Sequence, residues 1–158
     1  SFETAVDFSR KTYAHQVAGQ YDAVMCEVLP PLDHSLYQLQ KALENCQPAV
    51  ADGGRIVLLS ACEGGVGSEH FFELACGWDV EKNKPGDGQL HFGSHKLSRV
   101  NSIGKRIDVR VHSKLAEETV KQVFYQPLDD VQGFLSGEKK EGYKLAIVRD
   151  AGHTVLTT

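Results

Sequence analysis

The sequence lacks the surplus of positive charge that marks a surface for nucleic acid or for acidic lipid. Its 158 residues contain 17 lysines and arginines against 21 aspartates and glutamates, which gives a formal net charge of -4. This balance argues against a nucleic-acid partner and against a basic membrane patch. No apolar run approaches the roughly 20 residues that span a bilayer, so we expect no membrane segment.

Cysteine is sparse, and its spacing argues against the common zinc and disulfide frameworks. The four cysteines, at positions 26, 46, 62 and 76, form no C-x-x-C pair, and each lies in an apolar segment. Buried free thiols in a reducing compartment fit this pattern better than disulfides or zinc ligands. The sequence therefore predicts a cytoplasmic protein.

The remaining pattern predicts one α/β domain over residues 1–158. The run 55–61 (R-I-V-L-L-S-A) is a continuous β-type run without polar alternation, as a parallel strand covered on both faces requires. Alternating strands and helices predict a three-layer, Rossmann-like, mostly parallel sheet with helices on both faces. The predicted helices span 2–18, 34–48, 69–76, 97–105, 116–122 and 128–135; the predicted strands span 23–28, 55–61, 107–112, 123–125, 144–149 and 154–158. The segment 83–88 (N-K-P-G-D-G) predicts a loop.

The second predicted helix carries a polar face of unusual composition. It follows the Pro30-Pro31 break, and Asp33 occupies the position of an N-cap. At about 100° per residue, Tyr37, Gln38 and Lys41 lie together, opposite the leucines that would face the core. A phenol, an amide and an ammonium near a helix N-terminus would suit a carboxylate. The alternative is an ordinary solvated helix face.

A glycine-rich loop follows the second predicted strand. Its residues Gly64, Gly65 and Gly67 precede Ser68 and a helix, an arrangement that lets backbone amides approach an anion. The loop is not a Walker motif, because no Gly-Lys-Ser/Thr follows, and His70 stands where a dinucleotide fingerprint has its third glycine. A tight structural turn is an equally good interpretation. Ser68 fits a helix N-cap better than a nucleophile.

The histidines do not predict a metal site. His91 and His95 are four residues apart, the spacing that places two imidazoles on one helix face. Gly93 lies between them, however, and no third ligand is apparent. We therefore expect no metal ion in this domain.

Two long motifs resemble the carboxyl-terminal domain of the nickel-dependent lactate racemase family. They are P-L-D-x-x-x-Y-Q-x-x-K, which ends at Lys41, and G-G-R-I-V-L-L-S-A-C-E-G-G-V-G-S-E-H-F, with F-G-S-H-K further on. The resemblance implies that Tyr37, Gln38 and Lys41 face the substrate across an interdomain cleft. Asp33 and the loop residues Gly64, Gly65, Gly67 and Ser68 would lie nearby. His95 and Lys96 stand where some relatives carry a tryptophan near the substrate.

The resemblance also implies that this chain is one domain of a larger two-domain racemase or epimerase of 2-hydroxy acids, and that the two domains have different roles. The family's catalytic histidines, its nickel ligand and the lysine that holds the nickel-pincer nucleotide belong to the amino-terminal domain, and no segment here maps onto them. This chain would contain no catalytic residue, would cap the substrate and would be inactive alone. Two alternatives are a stand-alone nucleotide- or anion-binding module that uses the 64–68 loop, and a non-catalytic interaction domain.

Overall fold

The computed structural model describes residues 1–79, 93–137 and 141–158, and the predicted loop at 83–88 lies outside them. The helices are α1 (Phe2–Tyr13), α2 (Leu36–Cys46), α3 (Glu69–Cys76), α4 (Ser94–Gly104), α5 (Glu117–Gln122) and α6 (Val131–Gly137). The strands are β1 (Ala14–Gln16), β2 (Tyr21–Glu27), β3 (Val50–Leu59), β4 (Asp108–His112), β5 (Gln126–Pro127), β6 (Leu145–Val148) and β7 (Val155–Thr157).

The principal sheet is parallel throughout, as the predicted fold class requires. Its order is β5-β4-β3-β2-β6, and β2 and β3 lie at its centre. Val24 pairs with Ile56, and Ile56 pairs with Val109, so the buried positions of three strands lie in register. The loops that leave the carboxyl ends of these strands therefore emerge at one edge of the sheet.

Helices cover both faces of this sheet. The larger core lies between one face and helices α2, α3, α4 and α5, which contribute buried residues such as Leu39, Phe71, Leu97 and Val120. On the opposite face, Phe134 of α6 packs in a smaller cluster with β2 and β3. The predicted three-layer α/β architecture is confirmed.

The first helix ends earlier than its sequence pattern predicts. It stops at Tyr13, and residues 14–16 form a strand instead of continuing to residue 18. This strand pairs in parallel with β7 in a separate two-stranded sheet, with Ala14 opposite Val155. Because that partner is at the far end of the chain, local periodicity gives no sign of it.

Three further boundaries differ from the prediction. Residues 123–125 are a turn rather than a strand, with Phe124 at φ +68°, and the strand is Gln126–Pro127. Helix α6 begins at Val131 rather than at residue 128, because Leu128 donates its amide to Val111 at the end of β4. Strand β3 begins at Val50 rather than at residue 55, and its pairing with β2 shifts register between these two positions.

The prediction that the cysteines are buried is correct at three positions and wrong at the fourth. All four cysteines are free; those at 26, 46 and 62 are buried, whereas Cys76 is exposed. Cys76 is the last residue of α3, whose buried residues are Phe71 and Ala75. Burial raises the pKa of the Cys26 and Cys62 thiols, which favours their neutral form.

Within the three described ranges, none of the helices is both long and apolar enough to cross a membrane.

Candidate functional site

The turn before α2 is built differently from its predicted form. Asp33 is not the N-cap; it lies in a short 3-10 helix, Leu32–His34, and α2 begins after Ser35. The Asp33 carbonyl accepts hydrogen bonds from the Ser60 hydroxyl at 2.7 Å and from the Cys62 amide at 3.2 Å. The exit of β3 therefore holds this turn, a tertiary contact that the capping pattern does not reveal.

Helix α2 presents the predicted polar face. Leu36, Leu39 and Leu43 are buried, whereas Lys41 is exposed and Tyr37 and Gln38 are partly exposed. The Tyr37 ring packs edge-to-face on a ring of α3, that of Phe71, with centroids 5.2 Å apart and an interplanar angle of 84°. Tyr37 thus lies in a wall between helices, and Lys41 projects to solvent one turn further along.

The far end of this polar face has a structural role. Asn45 donates through its side-chain nitrogen to the carbonyls of Ala151 and Gly152, at 3.1 and 2.9 Å. Its amide therefore ties α2 to the turn before β7. The candidate binding face is confined to the first turns of the helix.

The N-terminal amides of α2 do not provide the anion site that the sequence suggests. The Leu36 amide donates to the Gly65 carbonyl at 3.2 Å, and the Tyr37 amide donates to the Val66 carbonyl at 3.0 Å. The next amides, of Gln38 and Leu39, donate to the Ser35 carbonyl. Because carbonyl oxygens already accept from the first turn, any anion at this helix must be bound by side chains.

The glycine loop is shaped to pack on α2. A Cβ at Gly64 would collide with the His34 imidazole, and a Cβ at Gly67 would lie 2.8 Å from the Ser35 hydroxyl oxygen. Gly67 also has φ +107°, a conformation that a side chain disfavours. The glycines therefore allow two backbone segments to approach closely, as the structural-turn interpretation of the loop requires.

Beyond the loop, a groove of about 450 Å³ opens along α3. Ser68 caps this helix as predicted, with its hydroxyl accepting from the Phe71 amide at 3.4 Å. Carboxylates of Glu69 and Glu73 line the groove together with Gly67 and Phe72. The two negative charges would repel a phosphate or a nucleotide, so this groove does not favour the anion-binding alternative.

Helix α4 brings Lys96 to the candidate face. The Lys96 ammonium donates to the Tyr37 carbonyl at 3.1 Å and lies 4.2 Å from the centroid of the Tyr37 ring. The predicted residue Lys96 therefore joins Tyr37, whereas its neighbour His95 is exposed on α4. Burial lowers the pKa of Lys96, and the nearby Lys41 charge lowers it further, while Glu44 opposes both effects.

Sequence reasoning missed Gln40, which links the two helices. Its side chain is 2% exposed, and its nitrogen donates to the Lys96 carbonyl at 3.2 Å and to a Glu44 carboxylate oxygen at 2.8 Å. The sequence contains a signal for this role. Gln40 lies four residues after Leu36 and three before Leu43, so helical periodicity places it in the middle of the apolar arc. A polar residue at such a position requires partners, and here the partner is α4.

The described residues bring no metal-ligand cluster together. In residues 1–79, 93–137 and 141–158, no group of three or more His, Cys, Asp and Glu side chains could hold a metal ion. His91, one member of the spaced pair, lies outside these residues.

Comparison with known proteins supports the resemblance seen in the motifs. Residues 23–85 match the family described as the lactate racemase C-terminal domain. The fold is similar to that of the lactate racemase apoprotein from Thermoanaerobacterium thermosaccharolyticum, with a TM-score of 0.81 and 20% sequence identity over 99% of this chain and 40% of that one. No match was found among curated proteins.

These findings confirm the resemblance and the α/β fold. The matched residues include α2 and the glycine loop but stop before α4, so Lys96 lies outside them. The chain spans about two fifths of the length of the structure that it resembles.

Proposed function

We propose that this domain is the substrate-capping half of a racemase or epimerase of 2-hydroxy acids. Gln38 and Lys41 bind the substrate carboxylate, and Tyr37 forms the adjacent wall and offers its hydroxyl group. Asp33 and the glycine loop (64, 65, 67 and 68) support the start of α2. The observation that carries this proposal is the partly exposed trio Tyr37, Gln38 and Lys41 on one face of a helix whose leucines are buried.

The electrostatics of this face suit a carboxylate. Lys41 is exposed and forms no ion pair with a carboxylate in the described part of the chain. Its ammonium supplies charge, and the Gln38 amide supplies a directional hydrogen bond. When a second domain closes over this face and excludes water, both interactions strengthen, and the acid is held in one orientation.

The reaction requires a hydride acceptor and a base, and by its resemblance this domain supplies neither. By its resemblance, the parent protein would carry a nickel-pincer nucleotide in its amino-terminal domain, and the nucleotide supplies the hydride acceptor when bound. The part of this chain that the structure describes lacks a metal-ligand cluster, so its residues do not fit that group. We therefore expect the isolated domain to be inactive.

Substitutions in the full-length protein, loaded with its cofactor, test the carboxylate role. Lys41→Met and Gln38→Ala should each lower kcat/KM for the interconversion of D- and L-lactate by roughly 10- to 150-fold. A charge-assisted hydrogen bond contributes about 1.5–3 kcal/mol, and each 1.36 kcal/mol is about tenfold in rate. Chiral chromatography of the product mixture measures the rates.

The matched control is Lys11→Met, which removes an exposed ammonium from α1. It should leave kcat/KM within about twofold, because surface charges far from a site have little effect. If Lys41→Met and Gln38→Ala behave like this control, their carboxylate role is wrong.

A further inference from the structure

Positive charge is concentrated where α2 and α4 meet. Lys41 and Glu44 of α2 lie near Lys96 of α4, since both of their charges act on the Lys96 ammonium. Helix α4 contains no acidic residue, although the whole chain has a net charge of -4. The α2–α4 surface (Lys41, Glu44 and Lys96) therefore carries a net positive charge on a chain that is negative overall.

Lys96 is held in place without a counterion. One of its three N–H groups donates to the Tyr37 carbonyl, and the ammonium rests beside the Tyr37 ring. Among the residues that the structure describes, no carboxylate forms an ion pair with it. The nearby Glu44 carboxylate accepts instead from the Gln40 amide, at 2.8 Å. A fixed, half-buried cation with a donor to spare is well prepared for an anion.

The position of the Lys96 ammonium relative to Lys41 indicates which kind of anion it would bind. Lys41 lies one turn beyond Tyr37 on α2, whereas Lys96 contacts Tyr37 from α4. Two lysines thus lie near Tyr37, one from each helix. A small acid whose first carboxylate is bound by Gln38 and Lys41 needs one cation, which leaves the Lys96 ammonium without an assigned partner.

We propose that the site selects 2-hydroxy acids that carry a second anionic group, a carboxylate at the far end of the molecule, and that Lys96 binds this group. This inference rests on the proposed function and deepens it, because it names the class of substrate. Gln40 acts as a positioning residue, since its amide holds the Lys96 main chain through the Lys96 carbonyl.

Two acids of equal chain length provide the test. 2-Hydroxybutanedioate and 2-hydroxybutanoate differ only in the terminal carboxylate. Isothermal titration of the full-length protein should give a Kd at least about tenfold lower for the dicarboxylate, the lower end of what one charge-assisted hydrogen bond contributes. The ratio of kcat/KM values for the two acids should show the same preference.

Substitutions at Lys96 then identify the residue responsible. Lys96→Met should reduce the preference for the dicarboxylate to less than about threefold, whereas Lys96→Arg, which keeps the charge, should retain most of it. The matched control, Lys105→Met, removes an exposed ammonium at the other end of α4 and should keep the full preference. Thermal melting confirms that each variant is folded.

The outcomes separate this inference from the proposed function. If the wild-type protein binds both acids with equal Kd, or if Lys96→Met weakens both equally, Lys96 only supports Tyr37 and the inference is overturned. If the loaded wild-type protein neither binds nor interconverts any 2-hydroxy acid, lactate included, the proposed function fails as well.

Discussion

Arg106 and the two lysines near Tyr37 carry their positive charges in opposite settings. At the amino-terminal edge of the sheet, the Arg106 guanidinium donates to the main-chain carbonyls of Val50 and Gln47 and to the side chains of Gln47 and Asp52. Near Tyr37, on helices α2 and α4, neither Lys41 nor Lys96 forms an ion pair with a carboxylate in the residues described.

This difference separates a cation that is bonded within the fold from one that is exposed. The planar Arg106 guanidinium donates to the carbonyls of Gln47 and Val50, where the chain enters β3. Its hydrogen bonds are therefore made within the fold. Lys41 keeps its donors for solvent or for a ligand.

The largest effect that we expect in this comparison is on the free energy of unfolding. Arg106→Met should lower the free energy of unfolding by about 2–3 kcal/mol, because main-chain carbonyls lose a charged donor. Lys41→Met should change it by less than about 0.5 kcal/mol. Urea unfolding measures both values. Equal losses in the two variants would show that Arg106 and Lys41 do not differ in this way.

A smaller effect is expected in the glycine loop. Gly67→Ala should destabilise the domain by about 1–2 kcal/mol, because its Cβ meets the Ser35 hydroxyl at 2.8 Å and φ is +107°. Gly104→Ala is the matched control. No atom lies within 4 Å of its Cβ position, so we expect a gain of about 0.4–1 kcal/mol. A Gly67→Ala variant as stable as wild type would contradict the close packing of loop and helix.

The smallest expected effect concerns pH. Burial lowers the pKa of Lys96 below 10.5, so between its folded and unfolded pKa values the unfolded chain binds more protons. The free energy of unfolding of wild type, minus that of Lys96→Met, should therefore rise as pH increases toward 10.5. The change is small because the ammonium is half-exposed and remains partly hydrated. A difference that falls with pH would mean that Lys96 is stabilised in its charged form.

Local signals in the sequence were sufficient for much of the fold. The bounds of α3 and its Ser68 cap follow from a hydroxyl placed before an amphipathic run, and the structure has both as predicted. Helical periodicity alone also placed Tyr37, Gln38 and Lys41 on a common face. Each of these inferences depends on residues within a few positions of one another.

The rest depends on contacts between distant segments. The position of Asp33 is set by Ser60, and the end of α1 is set by the pairing of β1 with β7. In the site, the use of the α2 amides by the glycine loop and the approach of Lys96 to Tyr37 are also long-range. Composition and spacing along one stretch carry no information about such partners.

Two main-chain hydrogen bonds strengthen the joint at Tyr37, beside the contacts of its ring. Its amide donates to the Val66 carbonyl, and its carbonyl accepts from the Lys96 ammonium, so the glycine loop and α4 are both fastened to the backbone of α2. Every amino acid except proline offers that amide and that carbonyl. A different side chain at position 37 could therefore keep these two main-chain hydrogen bonds. The substrate preference could then change without a change of fold.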